Sequence, residues 1–125
     1  MKLEGIDHVA FTVSDVEQTV AWYLEVLGFE RRHEGAWKGV PAFIGKGTTA
    51  LALFPRPRKG TSAVKPDGPF LHLALRASRA EFVRAEEELR KRGIEFHFED
   101  HGIAHSIYFR DLNDLRLEIT TYEPK

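Results

Sequence analysis

Residues 5–14 read GIDHVAFTVS, and residues 69–78, sixty-four positions later, read PFLHLALRAS. A histidine holds the same place in each copy, His8 in the first and His72 in the second. Each stretch alternates as a strand does, because successive side chains leave a strand on opposite faces. Asp7, Val9, Phe11 and Val13 share one side of the first copy, and Leu71, Leu73 and Leu75 one side of the second. That bulky side needs a helix to cover it. The histidines fall on the other side, each with an alanine two residues on, Ala10 or Ala74, where little bulk competes for space.

A helical pattern follows each strand. Ser14 or Asp15 can cap the first helix, whose apolar stripe is Val16, Val20, Tyr23, Leu24 and Leu27, and Gly28 stops it. Ser78 can cap the second, with Phe82, Ala85 and Leu89 inward and Gly93 as the stop. Its outer side carries Glu86/Arg90, Glu87/Lys91 and Glu88/Arg92, each glutamate four residues before its base, which reads as a solvated face. Three short strands are expected after each helix, near residues 29–37, 40–45 and 48–54, then 94–99, 104–110 and 115–122. The expected fold class is α+β: two pseudo-symmetric βαβββ modules, about 1–57 and 69–125, in one domain spanning 1–125. The linker, about 58–68, is rich in Pro, Gly and Lys. A period of this length is too long for a solenoid.

Bulk properties narrow the function classes. The 125 residues suit one domain with a core, and 42% hydrophobic with 30% charged residues suits a globular protein. A net charge of -1 without long single-sign runs argues against nucleic acid or an anionic membrane as partner. No apolar run approaches the roughly 18 residues of a membrane span, and the N-terminus has no signal-peptide pattern. Cysteine is absent, which removes disulfides, thiolate metal sites and a cysteine nucleophile. The expected location is cytoplasmic.

The stretch GIDHVAFTVSDVEQTVAWYLEVLGFE, with FLHLALRAS and HSIYFRDLNDLRLEITTYE, resembles the vicinal oxygen chelate superfamily, which includes glyoxalase I, bleomycin-resistance proteins, fosfomycin-resistance enzymes and extradiol dioxygenases. The resemblance covers nearly the whole chain and implies paired βαβββ modules curled around a metal-binding cavity. It is specific for fold and not for one reaction.

The equivalent histidines suggest converging ligands. Leu115, Leu117 and Ile119 form the apolar side of the last strand, which leaves Arg116, Glu118 and Thr120 on the histidine side. A carboxylate there is costly unless paired or coordinated, and the family's carboxylate ligand matches Glu118. His8, His72 and Glu118 are therefore the expected ligands of one divalent ion. Two imidazoles and a carboxylate with open positions suit Fe(II) or Mn(II), with Zn, Ni or Co also compatible. Taken singly, either histidine reads as a core residue and Glu118 as a strand-surface charge; the repeat is what joins them.

Tyr108, ten residues before Glu118, matches a spacing the resemblance associates with extradiol dioxygenases and fosfomycin enzymes. Aligning the apolar sides of the last hairpin can set Tyr108 opposite Glu118, where a phenol could pass a proton. His97, His101 and His105 are spaced by four, but the segment alternates and contains Gly102, so no helical ligand set is read there. His101 or His105 is the candidate acid or base near the site. Arg56, Arg58 and Lys59 could meet an anionic substrate; Trp22 packs on its helix, and Trp37 lines either the cavity or the sheet.

Departures from the family prune its reactions. Glyoxalase I resembles this fold but places a fourth ligand on the last strand of the first module, which here reads TALALFPRP. Phe54 is the position equivalent to Glu118 at the constant repeat offset, and no carboxylate or amide lies in that strand. Fosfomycin enzymes carry a threonine where this chain has Ala10. The expected function is a metal-dependent enzyme acting on a small oxygen-chelating molecule, of the extradiol dioxygenase type. The alternatives are a glyoxalase-like lyase or isomerase, and a non-catalytic small-molecule binder like the bleomycin-resistance proteins. The family implies a homodimer.

Overall fold

Alternating apolar residues become a sheet and periodic ones a helix that covers it, twice over. The computed structural model describes residues 1–56 and 70–125. The chain divides into two compact units, Met1–Ala63 and Val64–Lys125. The linker reading and the candidates Arg58 and Lys59 lie outside the described residues. The first unit runs β1 (Val9–Val13), α1 (Val16–Leu27), β2 (Glu30–Arg32), β3 (Ala42–Lys46) and β4 (Thr49–Pro55). The second runs β5 (Leu73–Arg76), α2 (Arg79–Lys91), β6 (His97–Asp100), β7 (His105–Arg110) and β8 (Arg116–Thr121).

Each unit is a βαβββ module with one four-stranded mixed sheet, ordered β1-β4-β3-β2 and β5-β8-β7-β6. Both sheets are open. The first strand of each pairs parallel to the last, and the remaining pairs are antiparallel. A parallel pair needs a crossover, and the helix supplies it. In the first unit Val13, Ile44, Leu51 and Leu53 are buried with Val20 and Tyr23 of α1. In the second, Ile107, Phe109, Leu117 and Ile119 are buried with Phe82 and Leu89 of α2. Each such side chain contributes about 1.5–3 kcal/mol by leaving water. Among the described residues no helix is long and apolar enough to cross a membrane.

The helix ends follow the sequence punctuation. Asp15, rather than Ser14, caps α1: its carboxylate accepts from the Gln18 amide at 2.9 Å. Gly28 closes α1 at φ 71°, a backbone region that costs glycine nothing. Ser78 caps α2 by accepting from the Glu81 amide at 3.3 Å.

The second strand of the first unit is shorter than the pattern suggests. It ends at Arg32 rather than Trp37, and a 3-10 turn, Ala36–Gly39, follows. His33, Trp37 and Lys38 all take positive φ there, at 55°, 52° and 52°, and turn the chain where alternation alone would extend it.

Candidate functional site

The face of the second sheet turned away from α2 carries Ser106, Tyr108, Glu118 and Thr120. The hairpin β7–β8 pairs Tyr108 with Glu118 and Ser106 with Thr120, the register that aligning the apolar sides requires. Glu118 also lies opposite Ala74 of β5, whose small side chain leaves room beside it. Glu118 is 8% exposed, and both of its oxygens are held. Oε1 lies 2.8 Å from His72 Nε2, and Oε2 accepts from the Ser106 hydroxyl at 2.6 Å. The Thr120 hydroxyl stands 2.9 Å from that of Ser106 and extends the chain of polar contacts.

Tyr108 stands beside this pair. Its ring meets His72 edge-on with centroids 5.7 Å apart, and the Arg116 guanidinium lies 4.5 Å above its centroid. The phenol oxygen is 2.9 Å from His101 Nε2. Burial, and then the negative charge of Glu118, raise the Tyr108 phenol above its ordinary value of 10.0, so it stays protonated at neutral pH.

Neither Arg116 nor Arg76 neutralises Glu118. Arg116 stacks on Tyr108, and Arg76 lies 4.7 Å above the Tyr122 ring. Among the described residues the ion-pair partner of Glu118 is His72.

The first sheet repeats the layout with other side chains. Phe43 pairs with Ala52, and Ala52 with Ala10. The His8 ring meets Phe43 at 5.1 Å, as His72 meets Tyr108. His33 and Trp37 join Phe43 at 5.2 and 5.1 Å, an aromatic group that alternation did not reveal because both lie in the turn after β2. Trp37 thus packs against the sheet's Phe43 and stays 54% exposed. Asp7, expected on the opposite side from His8, precedes the strand and instead holds His8 Nδ1 at 2.7 Å. That contact leaves Nε2 as the His8 nitrogen available to a ligand.

The register also corrects one equivalence. Glu118 pairs with Ala74 and the matching Ala10 pairs with Ala52, so Ala52, not Phe54, is the first-unit counterpart of Glu118. The offset drifts from 64 to 66 because the hairpins differ. β3 and β4 join through Gly47-Thr48, whereas β7 and β8 join through a longer loop in which Asp111 accepts from the amides of Asn113 and Leu115. Alanine offers no ligand atom, so the first unit still lacks the fourth ligand.

His105 does not join the site. Ser106 and Tyr108 share the face turned away from α2, so His105 falls on the other side of β7. There it contacts Arg79 at 3.1 Å, Asp100 at 3.5 Å and the Phe98 ring at 5.1 Å. Its place beside Tyr108 is taken by His101, which the turn between β6 and β7 folds back toward the phenol. His97 is held by Glu99 at 2.8 Å. Trp22 packs edge-on against Tyr23, and Arg56 is half-buried at the end of β4.

The donors on the second unit fit a divalent ion. Two ligand atoms at neighbouring positions around a metal, each about 2.1 Å from it, lie about 3 Å apart. The His72–Glu118 separation is of that size. Ser106 orients the carboxylate as outer hydrogen-bond partners do at metal sites. Among the described residues no group of three or more His, Cys, Asp or Glu side chains is placed to hold a metal ion. The second unit brings two of the expected ligands together, and His8 belongs to the first.

Comparison with known proteins places the chain. The family model for the Glyoxalase/Bleomycin resistance protein/Dioxygenase superfamily matches residues 5–119. The uncharacterized protein YwkD of Bacillus subtilis (strain 168) is 31% identical over 101 residues, 76% of this chain and 77% of that protein. A glyoxalase/dioxygenase from Nostoc punctiforme superposes with a TM-score of 0.79 at 22% identity, covering 98% of this chain and 92% of that one. A glyoxylase/bleomycin resistance protein/dioxygenase domain from Frankia sp. EAN1pec gives 0.78 at 25% identity, with 96% and 93% covered. The repeated histidine strands, the two βαβββ modules and the family match agree: the chain belongs to the Glyoxalase/Bleomycin resistance protein/Dioxygenase superfamily.

Proposed function

We propose that the protein is a divalent-metal enzyme acting on a small molecule that chelates through two oxygens, with a reaction of the extradiol dioxygenase type. Its ligands are His8, His72 and Glu118, and its ion is Fe(II) or Mn(II); Zn, Ni or Co suit the same donors. The observation that carries the reading is the pairing of half-buried His72 with buried Glu118, 2.8 Å apart and oriented by Ser106 rather than neutralised by an arginine. Such an ion supplies Lewis acidity and, for iron or manganese, electron exchange with O2.

The chain's own groups do the rest. Ser106 fixes one Glu118 oxygen and leaves the other beside His72. Asp7 fixes the tautomer of His8 by holding Nδ1. Tyr108, protonated at neutral pH, donates to an oxygen of the substrate, and His101 exchanges that proton with solvent from the exposed end. The same Tyr108–His101 pair also suits a redox-neutral proton transfer, which is the second reading, a lyase or isomerase. The protein works as a homodimer, in line with its family resemblance.

Metal content tests the proposal. Protein purified anaerobically is expected to hold about one ion per chain, lost in Glu118→Ala, His72→Ala and His8→Ala. Iron or manganese favours the dioxygenase reading, and nickel or zinc the redox-neutral one. Failure of the wild type to bind any divalent ion after reconstitution refutes both.

A further inference from the structure

Arg110 and Arg116 are direct cross-strand partners in the β7–β8 hairpin. Like charges directly opposite each other in a sheet repel, so the pairing is costly unless something anionic lies between them. Protein groups relieve it only in part. Arg110 reaches the Asp114 carboxylate at 3.6 Å and donates to the Asp114 carbonyl at 2.9 Å. Arg116 has no carboxylate ion-pair partner among the described residues; its guanidinium carbon lies 4.5 Å over the Tyr108 ring. Both arginines line a hollow of about 590 Å³ whose apolar part is made by Ile94 and Phe96, with Phe109 behind it in the core. Tyr108 and His97 also border it, and Glu95 is the carboxylate among its lining residues.

We infer that Arg116 and Arg110 recognise a carboxylate on the substrate, and that the apolar wall takes the ring or planar chain bearing it. The ligand class is an aryl or enol carboxylate. A guanidinium fork meets a carboxylate with two parallel hydrogen bonds, which fixes orientation as well as charge. Arg116 shares a strand with Glu118, two residues away and on the same face, so the acid group would lie alongside the proposed chelating end. Only that last placement rests on the proposed metal site; the arginine pair stands without it.

Sodium benzoate, which carries the carboxylate and no chelating diol, separates the two ideas. Metal-free protein labelled with 15N-arginine is titrated with benzoate and with sodium chloride at equal ionic strength. A saturable shift of arginine Nε–Hε signals is expected with benzoate alone. Arg116→Gln should weaken it at least tenfold, Arg110→Gln, at a side chain more than half exposed, should weaken it several-fold, and Arg92→Gln on α2 should leave it unchanged. Absence of saturation in the wild type, or binding by R116Q and R110Q as tight as that of the wild type, overturns the inference. Metal content is measured on the same preparations. Metal without benzoate binding sinks this inference alone, and benzoate binding without metal sinks the proposed function alone.

Discussion

The His72–Glu118 pair can be tested as an energetic unit before any substrate is known. In the metal-free protein the imidazole is 29% exposed at its side chain and the carboxylate 10%. Removing one partner of such a pair strands the other, at a cost of about 3–5 kcal/mol for a buried ion pair. His72→Ala should sit at the low end, about 3 kcal/mol, because Ser106 still holds one Glu118 oxygen. Glu118→Gln keeps an acceptor for Ser106 and a polar group facing His72, so it should cost only about 1 kcal/mol. For a chain of this length each kcal/mol moves the melting temperature by about 3–5 °C. Calorimetry in EDTA should therefore show a drop of about 10 °C or more for H72A and about 4 °C for E118Q. Metal widens the gap between the wild type and both variants. An ion at about 1,000 times its Kd adds about 4 kcal/mol to a protein that binds it only when folded. Wild type should then melt more than 10 °C higher, while neither variant gains appreciably. An E118Q protein that gains as much as wild type would refute Glu118 as a ligand. An H72A protein as stable as wild type in EDTA would refute the energetic pairing.

Three further outcomes follow from the same geometry. The difference in ultraviolet titration between wild type and Tyr108→Phe should show a phenol ionising above pH 10, and Glu118→Gln should move it back toward 10, because the carboxylate charge is one cause of the shift. Below pH 10 both states hold that proton; above it the unfolded chain releases it first, so stability falls with rising pH until the folded phenol ionises too, a slope that Y108F removes. His105→Ala should lose about 1 kcal/mol from its contacts with Arg79 and Asp100 while metal content stays at the wild-type level. Asp7→Asn should leave the melting temperature within about 2 °C, since the pair is exposed, yet weaken metal binding by about tenfold through the lost orientation of His8.

What the sequence disclosed and what it withheld divide along a physical line. Strand alternation, the Asp15 and Ser78 caps and the Gly28 stop were legible because each is a local rule: a period of two, a side chain reaching an amide, a glycine at positive φ. The Tyr108–Glu118 pairing was legible because one apolar side had to be buried, which excludes a one-residue slip. Where local rules are silent, the reading went astray. His33, Trp37 and Lys38 take positive φ without being glycine, so β2 looked longer than it is, and the aromatic group on Phe43 stayed hidden. A constant repeat offset cannot survive two hairpins of unequal length, so Phe54 stood in for Ala52. His105 and His101 differ by four residues, an even number, yet end up in opposite surroundings because the turn at His101–Ala104 interrupts the alternation between them. The correction strengthens the division of labour between the modules. At matched positions one sheet carries Phe43 and Ala52, the other Tyr108 and Glu118. The second module has the carboxylate, the phenol and the arginines, and the first offers His8 above small and aromatic residues. On the proposed reading, chemistry gathers on the second sheet, and the first contributes one ligand and an apolar surface.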